Sequence, residues 1–338
     1  MNSGELTSSK EILQIVSLGE AGELAEVVES NVNEAFDTVT RQIGDKHVVL
    51  CARAALLLAL PLAVALLFMG LLDGKRIVIT GVLTDASLAF GVAELALEQG
   101  AEIVLTGAGR GLRLTERSAR KLGDGIAVVE FDVTEPSHAD SLRDFLDGHW
   151  GRVNGALHAI GFAPEICLGG TFMDAAWTDV KVALEISTYS LKMLADAVAP
   201  LMGASEADSA DADGGSRGSG GSIVGLDFDA SRAFPAYDWM GVAKAGLEST
   251  CRYLARYLGP QGIRVNLVSA GPIKTMAARS IPGFSEFEDA WTQRAPLGWS
   301  ITESGAVSRT VVAMLSDWLP ATTGSIVQAD GGFHAVGA

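Results

Sequence analysis

The chain has 338 residues, 48% of them hydrophobic, enough apolar material for one large α/β domain or two small ones and too much for general disorder. A formal net charge of -16 repels phosphate backbones and anionic headgroups, which argues against nucleic acid or peripheral membrane binding. Cys51, Cys167 and Cys251 stand far apart with no CxxC pair, which fits a reducing compartment and offers neither a disulfide framework nor a metal site.

Residues 1–68 read differently from the rest. Ile12, Ile15, Val16, Leu24, Val27, Val28 and Val32 recur at roughly helical spacing among acidic positions. Residues 54–72 then run without a charge, long enough for a transmembrane candidate. Pro61 interrupts that run, and its end leads without a spacer into Asp73-Gly74-Lys75-Arg76 and a strand. A secretory signal fits poorly, because the apolar run sits too far from the N-terminus. Met69-Gly70-Leu71-Leu72-Asp73 looks like a natural start. An overextended gene start is therefore the first reading of residues 1–68, a membrane anchor the second and a soluble accessory helix the third. A cytoplasmic location is expected, with membrane association only if 54–72 is a genuine anchor.

From residue 75 strands and helices alternate. Strand-like runs lie at 75–80, 102–106, 126–131, 153–159, 222–226, 263–269 and 325–329. Helical patterns lie between them at 87–99, 113–122, 137–148, 176–202, 235–258 and 303–317. Short apolar strands alternating with longer helices predict βαβ units. The expected architecture is a single doubly wound α/β domain of Rossmann type over 69–338, with a seven-stranded parallel sheet and the atypical N-terminal helical/apolar extension before it. Residues 203–221, rich in Gly, Ser and Asp, interrupt the rhythm and predict a flexible acidic loop.

The turn after strand one reads Gly81-Val82-Leu83-Thr84-Asp85-Ala86-Ser87-Leu88-Ala89, without GxGxxG. Gly81 permits the turn, and the small residues after it suit a helix N-terminus facing a pyrophosphate. A tight turn with Ser87 as N-cap accounts for the same residues equally well. Asp132-Val133 at the end of strand three, Ala159-Ile160-Gly161 at strand four and Ala270 to Thr275 at strand six add small residues and an Asp at the carboxyl edge, where an open α/β sheet binds its ligand. After strand two no Asp or Glu awaits a ribose 2′-hydroxyl, and Arg110 and Arg113 are candidates for a 2′-phosphate. NADH is the first expectation, and NADPH stays open.

After strand five, Tyr237 and Lys244 are seven residues apart, two helical turns, so both are expected on one helix face beside the crevice. A phenol near an ammonium can donate a hydrogen bond to a substrate oxygen as charge develops there. Such a pair is usually structural when it stands alone.

The longer blocks are more specific: GLLDGKRIVITG at 70–81, Ser87-Leu88-Ala89, IGF at 160–162 and GGSIVGLDFDASRAFPAYDWMGVAKAGLES at 220–249. AGPIKT at 270–275, QRAPLGW at 293–299 and SDWLPATTG with ADGG at 316–332 continue in the same order. Over nearly all of 70–338 the chain resembles the enoyl-acyl-carrier-protein reductases of the short-chain dehydrogenase/reductase superfamily, most closely the mycobacterial branch. The Tyr–Lys spacing of seven is that of enoyl reductases, whereas ordinary superfamily members place Lys four after Tyr, where this chain has Gly241.

The resemblance implies NADH-dependent reduction of trans-2-enoyl thioesters of acyl carrier protein or coenzyme A in fatty acid synthesis, by a homotetramer. It implies catalytic roles for Tyr237, Lys244 and Phe228. Cofactor contacts are implied at Gly81, Ser87, Leu88, Asp132, Val133, Ile160, Gly161, Lys244, Ile273 and Thr275, and substrate contacts at Tyr237, Met240 and Leu168. Three departures stand out: Ala159 where Ser is usual, Ala108 where the mycobacterial branch has a bulky aromatic, and a stretch from Thr275 to Trp291 shorter than in the long-chain mycobacterial enzymes. The short stretch predicts short- to medium-chain substrates. The rival readings are an NADPH-dependent 3-ketoacyl or other carbonyl reductase on the same fold, and a non-catalytic nucleotide-binding protein.

Overall fold

The computed structural model describes residues 70–203, 220–276, 278 and 281–337. The expectations for residues 1–68 and for the interior of the 203–221 loop lie outside the described residues.

Seven strands form one all-parallel sheet: β1 (Arg76–Thr80), β2 (Glu102–Gly107), β3 (Ala127–Glu130), β4 (Gly155–His158), β5 (Gly221–Asp227), β6 (Ile263–Ala270) and β7 (Ile326–Ala329). Their order is β3-β2-β1-β4-β5-β6-β7, so the chain reverses direction across the sheet between β1 and β4. This is the doubly wound arrangement that the strand–helix alternation predicts.

Alternation along each strand feeds two cores. On β1, Ile77 and Ile79 point to one face and Val78 to the other. The first face is covered by α1 (Leu88–Glu98), through Val92 and Ala96, and by α8 (Gly305–Leu315), through Val307, Val311 and Leu315. The opposite face is covered by α3 (Ser137–Trp150), by the helical stretch α4 (Trp177–Leu184) to α5 (Ser190–Val198), and by α6 (Asp238–Leu258). The remaining helices are α2 (Gly109–Leu122), packed against β2 and β3, and α7 (Phe284–Arg294), over the carboxyl edge.

The stretch predicted as one helix over 176–202 is interrupted by a π-helical turn at Glu185–Tyr189. Such turns are rare and occur mostly as single bulges at functional sites. Its side chains explain its survival. Ser187 is fully buried, accepts from the Phe162 N–H and donates to the Phe162 carbonyl, both at 2.8 Å. Thr188 donates to the Ala243 carbonyl of α6 at 2.6 Å. The extra residue thus pins the turn after β4 to the helix after β5.

Helix α7 is the element that the sequence reading did not anticipate. Phe284, Phe287 and Trp291 lie three and four residues apart, and Phe287 and Trp291 are buried. That spacing is a helical period and is present in the sequence.

Candidate active site

Two cavities meet along the carboxyl edge, at the β1/β4 switch point. One, of about 460 Å³, is lined by Gly81, Ser87, Leu88, Asp132, Val133, Ile160, Gly161 and Thr275. The other, of about 470 Å³, is lined by Leu168, Phe228, Tyr237, Met240, Lys244 and Ile273. Leu88, Ile160, Gly161, Leu226 and Thr275 border both, so the two form one groove. Every residue given a catalytic, cofactor or substrate role by the resemblance lines this groove, whereas Arg110 and Arg113, the candidates for a 2′-phosphate, line neither cavity. The ten cofactor candidates divide, with Lys244 and Ile273 on the second cavity alone.

The first cavity depends on Gly81. Its φ is +78°, and a Cβ there would stand 2.1 Å from the carbonyl oxygen of Ala159. Only glycine allows β1 and β4 to approach so closely as they turn away from the sheet. Ser87 occupies the N-cap position of α1, yet its Oγ accepts from the Thr84 N–H at 3.0 Å and caps no helix N–H. The first turn of α1 is therefore left free of side-chain caps beside a cavity, as an anion site needs. Asp132 is held from two sides: its N–H donates to His138 Nδ1 at 2.9 Å, and its Oδ1 accepts from Thr134 N and Oγ1. A dinucleotide fits this donor set and the small-residue walls.

Tyr237 does not lie within the helix, as the spacing argument had it. It is the N-cap residue, and α6 begins at Asp238. The pair still converges, because Tyr237 is placed by the turn and Lys244 by the second helical turn, and both line one cavity. The phenol ring packs 5.0 Å from Phe228 and 6.3 Å from Phe287. Phe228 also touches Phe234, Phe287 and Trp291, which places it at the centre of an aromatic cap. Lys244 is buried, and its Nζ donates to the Leu226 carbonyl at 2.9 Å.

Burial governs the charges here. It holds the Tyr237 phenol well above its ordinary range, with the Asp227 charge adding to the effect. It lowers the Lys244 ammonium, against the pull of Asp227. Asp227, at the end of β5, is pushed up to about 7 by desolvation, while Lys244 pulls it down and Glu248 pushes it up. Neither of its carboxylate oxygens meets a well-placed hydrogen-bond donor among the described residues. A fourth buried group, His158 on β4, is lowered to about 3 by desolvation and by the Lys244 charge. Ser190 Oγ donates to the Ile186 carbonyl at 2.6 Å, so in the 2.7 Å contact His158 Nε2 must be the donor and Nδ1 carries no proton.

Several lining residues were not predicted from sequence: Leu83 on both cavities, Ile186 from the π turn on the first, and Asp227, Ile281, Phe284 and Phe287 on the second. The aromatic spacing over 284–291 was an available signal for α7. Nothing in the sequence marked Ile186, whose position depends on the π turn.

The family model for enoyl-(acyl carrier protein) reductases matches residues 81–334. The chain is 45% identical over 277 residues to the NADH enoyl-acyl-carrier-protein reductase of Mycolicibacterium smegmatis, covering 78% of this chain and 97% of that relative. It is 44% identical to the one from Mycobacterium avium, again over 78% of this chain and 97% of the relative. It is 38% identical to the one from Aquifex aeolicus, over 80% of this chain and 94% of the relative. A groove that pairs an uncapped helix N-terminus with a buried Tyr–Lys couple seven residues apart is consistent with these likenesses: the chain belongs to the enoyl-(acyl carrier protein) reductase family.

Proposed function

We propose that the chain reduces the 2,3-double bond of trans-2-enoyl thioesters in fatty acid synthesis, with NADH as reductant and acyl carrier protein as the thioester carrier. The observation that carries this reading is the convergence of Tyr237 and Lys244, seven residues apart, on an apolar cavity continuous with the groove beneath α1. Bound NADH supplies the hydride for the β-carbon of the substrate.

The chain's own residues do the rest. Gly81 and Ser87, with the α1 N-terminus, receive the pyrophosphate, and Asp132 and Val133 border the adenine side. Ile160, Gly161, Leu88, Ile273 and Thr275 line the walls beside the nicotinamide. Lys244 binds the nicotinamide ribose. Tyr237 keeps its proton at all working pH values, because burial holds its pKa far up. A neutral phenol in an apolar pocket donates to the thioester carbonyl oxygen, and that bond strengthens as negative charge develops there. Phe228, Met240 and Leu168 exclude water and orient the enoyl group. Ile281, Phe284 and Phe287, from the shortened stretch between Thr275 and Trp291, line the same cavity with bulky side chains, which supports a preference for short to medium chains.

Residues 69–338 are the catalytic unit in this reading, supported by the family match over 81–334. The homotetramer belongs to the same proposal, and light scattering tests it. Among the described residues no helix is long and apolar enough to cross a membrane. The deciding experiment follows NADH oxidation with crotonyl and dodecenoyl thioesters. Turnover of both, with kcat/KM no higher on very long chains, is expected; turnover of neither sinks the assignment.

A further inference from the structure

The backbone around Tyr237 is unusual on both sides. Ala236 has φ +59° and Asp238 has φ +42°, and they are the non-glycine residues with positive φ among those described. L-residues avoid this region, and single instances persist only where the surroundings over-determine them. The surroundings here are residues 169–172, in the loop that follows β4. Gly169 N–H donates to the Ala236 carbonyl at 2.9 Å. The Gly170 and Thr171 N–H groups both donate to Asp238 Oδ2, at 2.6 and 3.1 Å. Trp239 Nε1–H donates to the Phe172 carbonyl at 2.9 Å, and its ring stacks on Phe172 at 4.6 Å. Gly169 and Gly170 have φ of +81° and +88°, which turns successive N–H groups toward one carboxylate, as in an anion-binding nest.

Tyr237 therefore stands between two strained residues that are each tied to one loop, and that loop also carries Leu168 on the cavity wall. Asp238 is the strongest tie, since one of its oxygens accepts from two successive backbone N–H groups. We propose that Asp238 is a positioning residue: by latching the 169–172 loop it fixes the height of the Tyr237 hydroxyl relative to the acyl wall. Asp238 touches neither substrate nor cofactor in this role. The inference rests on the enoyl-reductase reading above.

The test uses the full chain and four measurements on each variant: kcat and KM with crotonyl thioester, NADH Kd by fluorescence, thermal midpoint, and amide hydrogen exchange. Asp238→Ala removes the acceptor. Its kcat is expected to fall roughly 10- to 100-fold, since a displacement near 1 Å at a reacting group costs about that much. NADH Kd should stay within about twofold, because the groove under α1 is not part of the latch, and exchange should accelerate at Gly170 and Thr171. Asp238→Asn keeps a carbonyl oxygen for both donors and should restore kcat to within about threefold of wild type. Trp239→Phe retains stacking, loses the indole donor and should lower kcat by about threefold, which keeps the test alive if Asp238→Ala fails to fold.

Wild-type kcat in Asp238→Ala, or in Trp239→Phe where the alanine variant does not fold, overturns the inference. So does an equal loss in Asp238→Asn and Asp238→Ala, which would make charge the active property rather than the latch. An NADH Kd that weakens in step with kcat overturns it too, as the mark of general loosening. A wild-type enzyme that turns over no enoyl thioester removes the function reading first, whereas an active wild type with indifferent variants removes only the latch.

Discussion

Asp227→Asn should make the protein more stable at high pH and leave it unchanged at low pH. The native carboxyl holds its proton to about 7, while an unfolded Asp releases it near 3.8. Between these values the native state binds more protons than the unfolded one, so this group's contribution to stability falls as pH rises and is at its worst above about 7. A displacement from 3.8 to about 7 corresponds to about 4 kcal/mol as an upper bound. Asn abolishes that cost, but it also removes the charge that favours the Lys244 ammonium, and the net gain expected is about 2 kcal/mol at pH 8.5. At pH 5 wild type and variant both carry a neutral group there and should differ by less than about 0.5 kcal/mol. Urea unfolding at the two pH values, without NADH so that ligand linkage does not intrude, measures the difference directly. A variant destabilised equally at both pH values would refute the reasoning. It would mean that Asp227 is ionised throughout and bound to Lys244 as a working ion pair.

Gly81→Ala should destabilise by at least about 3 kcal/mol, because it adds left-handed strain to a 2.1 Å clash with the Ala159 carbonyl. A thermal midpoint shift under about 2 °C would contradict this. Tyr237→Phe should lower kcat about 100-fold with NADH Kd unchanged, and single-turnover kinetics separate the two. His158, lowered to about 3, contributes stability that is complete above about 6.5 and is lost as pH falls through that window. His158→Asn should therefore flatten the acid limb of the stability profile between about pH 6.5 and 4. An unchanged slope there would show that His158 takes up its proton in the native state.

The seven strands and their helices were legible because parallel strands buried on both faces are continuous apolar runs, and each run here is closed by a small or polar residue at the carboxyl edge. The groove followed, since an open α/β sheet offers one crevice at its switch point. Local backbone devices were harder to read. Tyr237 looked like a helical residue because seven is two turns, yet left-handed residues at 236 and 238 set it before the helix. The π turn leaves no periodicity mark, since its extra residue is absorbed within five positions. That Asp227 meets no well-placed donor among the described residues depends on its surroundings in three dimensions, and no spacing encodes that. Helix α7 is a different case, because its aromatic period was visible in the sequence and it is as long as α1 and α8.

The π turn has a consequence for how this gene can change length. An α-helix advances about 100° per residue, so losing one codon within α4 would rotate all that follows by that angle and turn Leu191, Leu194 and Val198 out of the core. A codon lost within 185–189 would only cancel the surplus residue and leave both flanking faces aligned. Such a chain would keep its core while releasing Ser187 from Phe162 and Thr188 from Ala243. The turn is thus a place where a single-residue deletion separates the ability to fold from the shape of the groove.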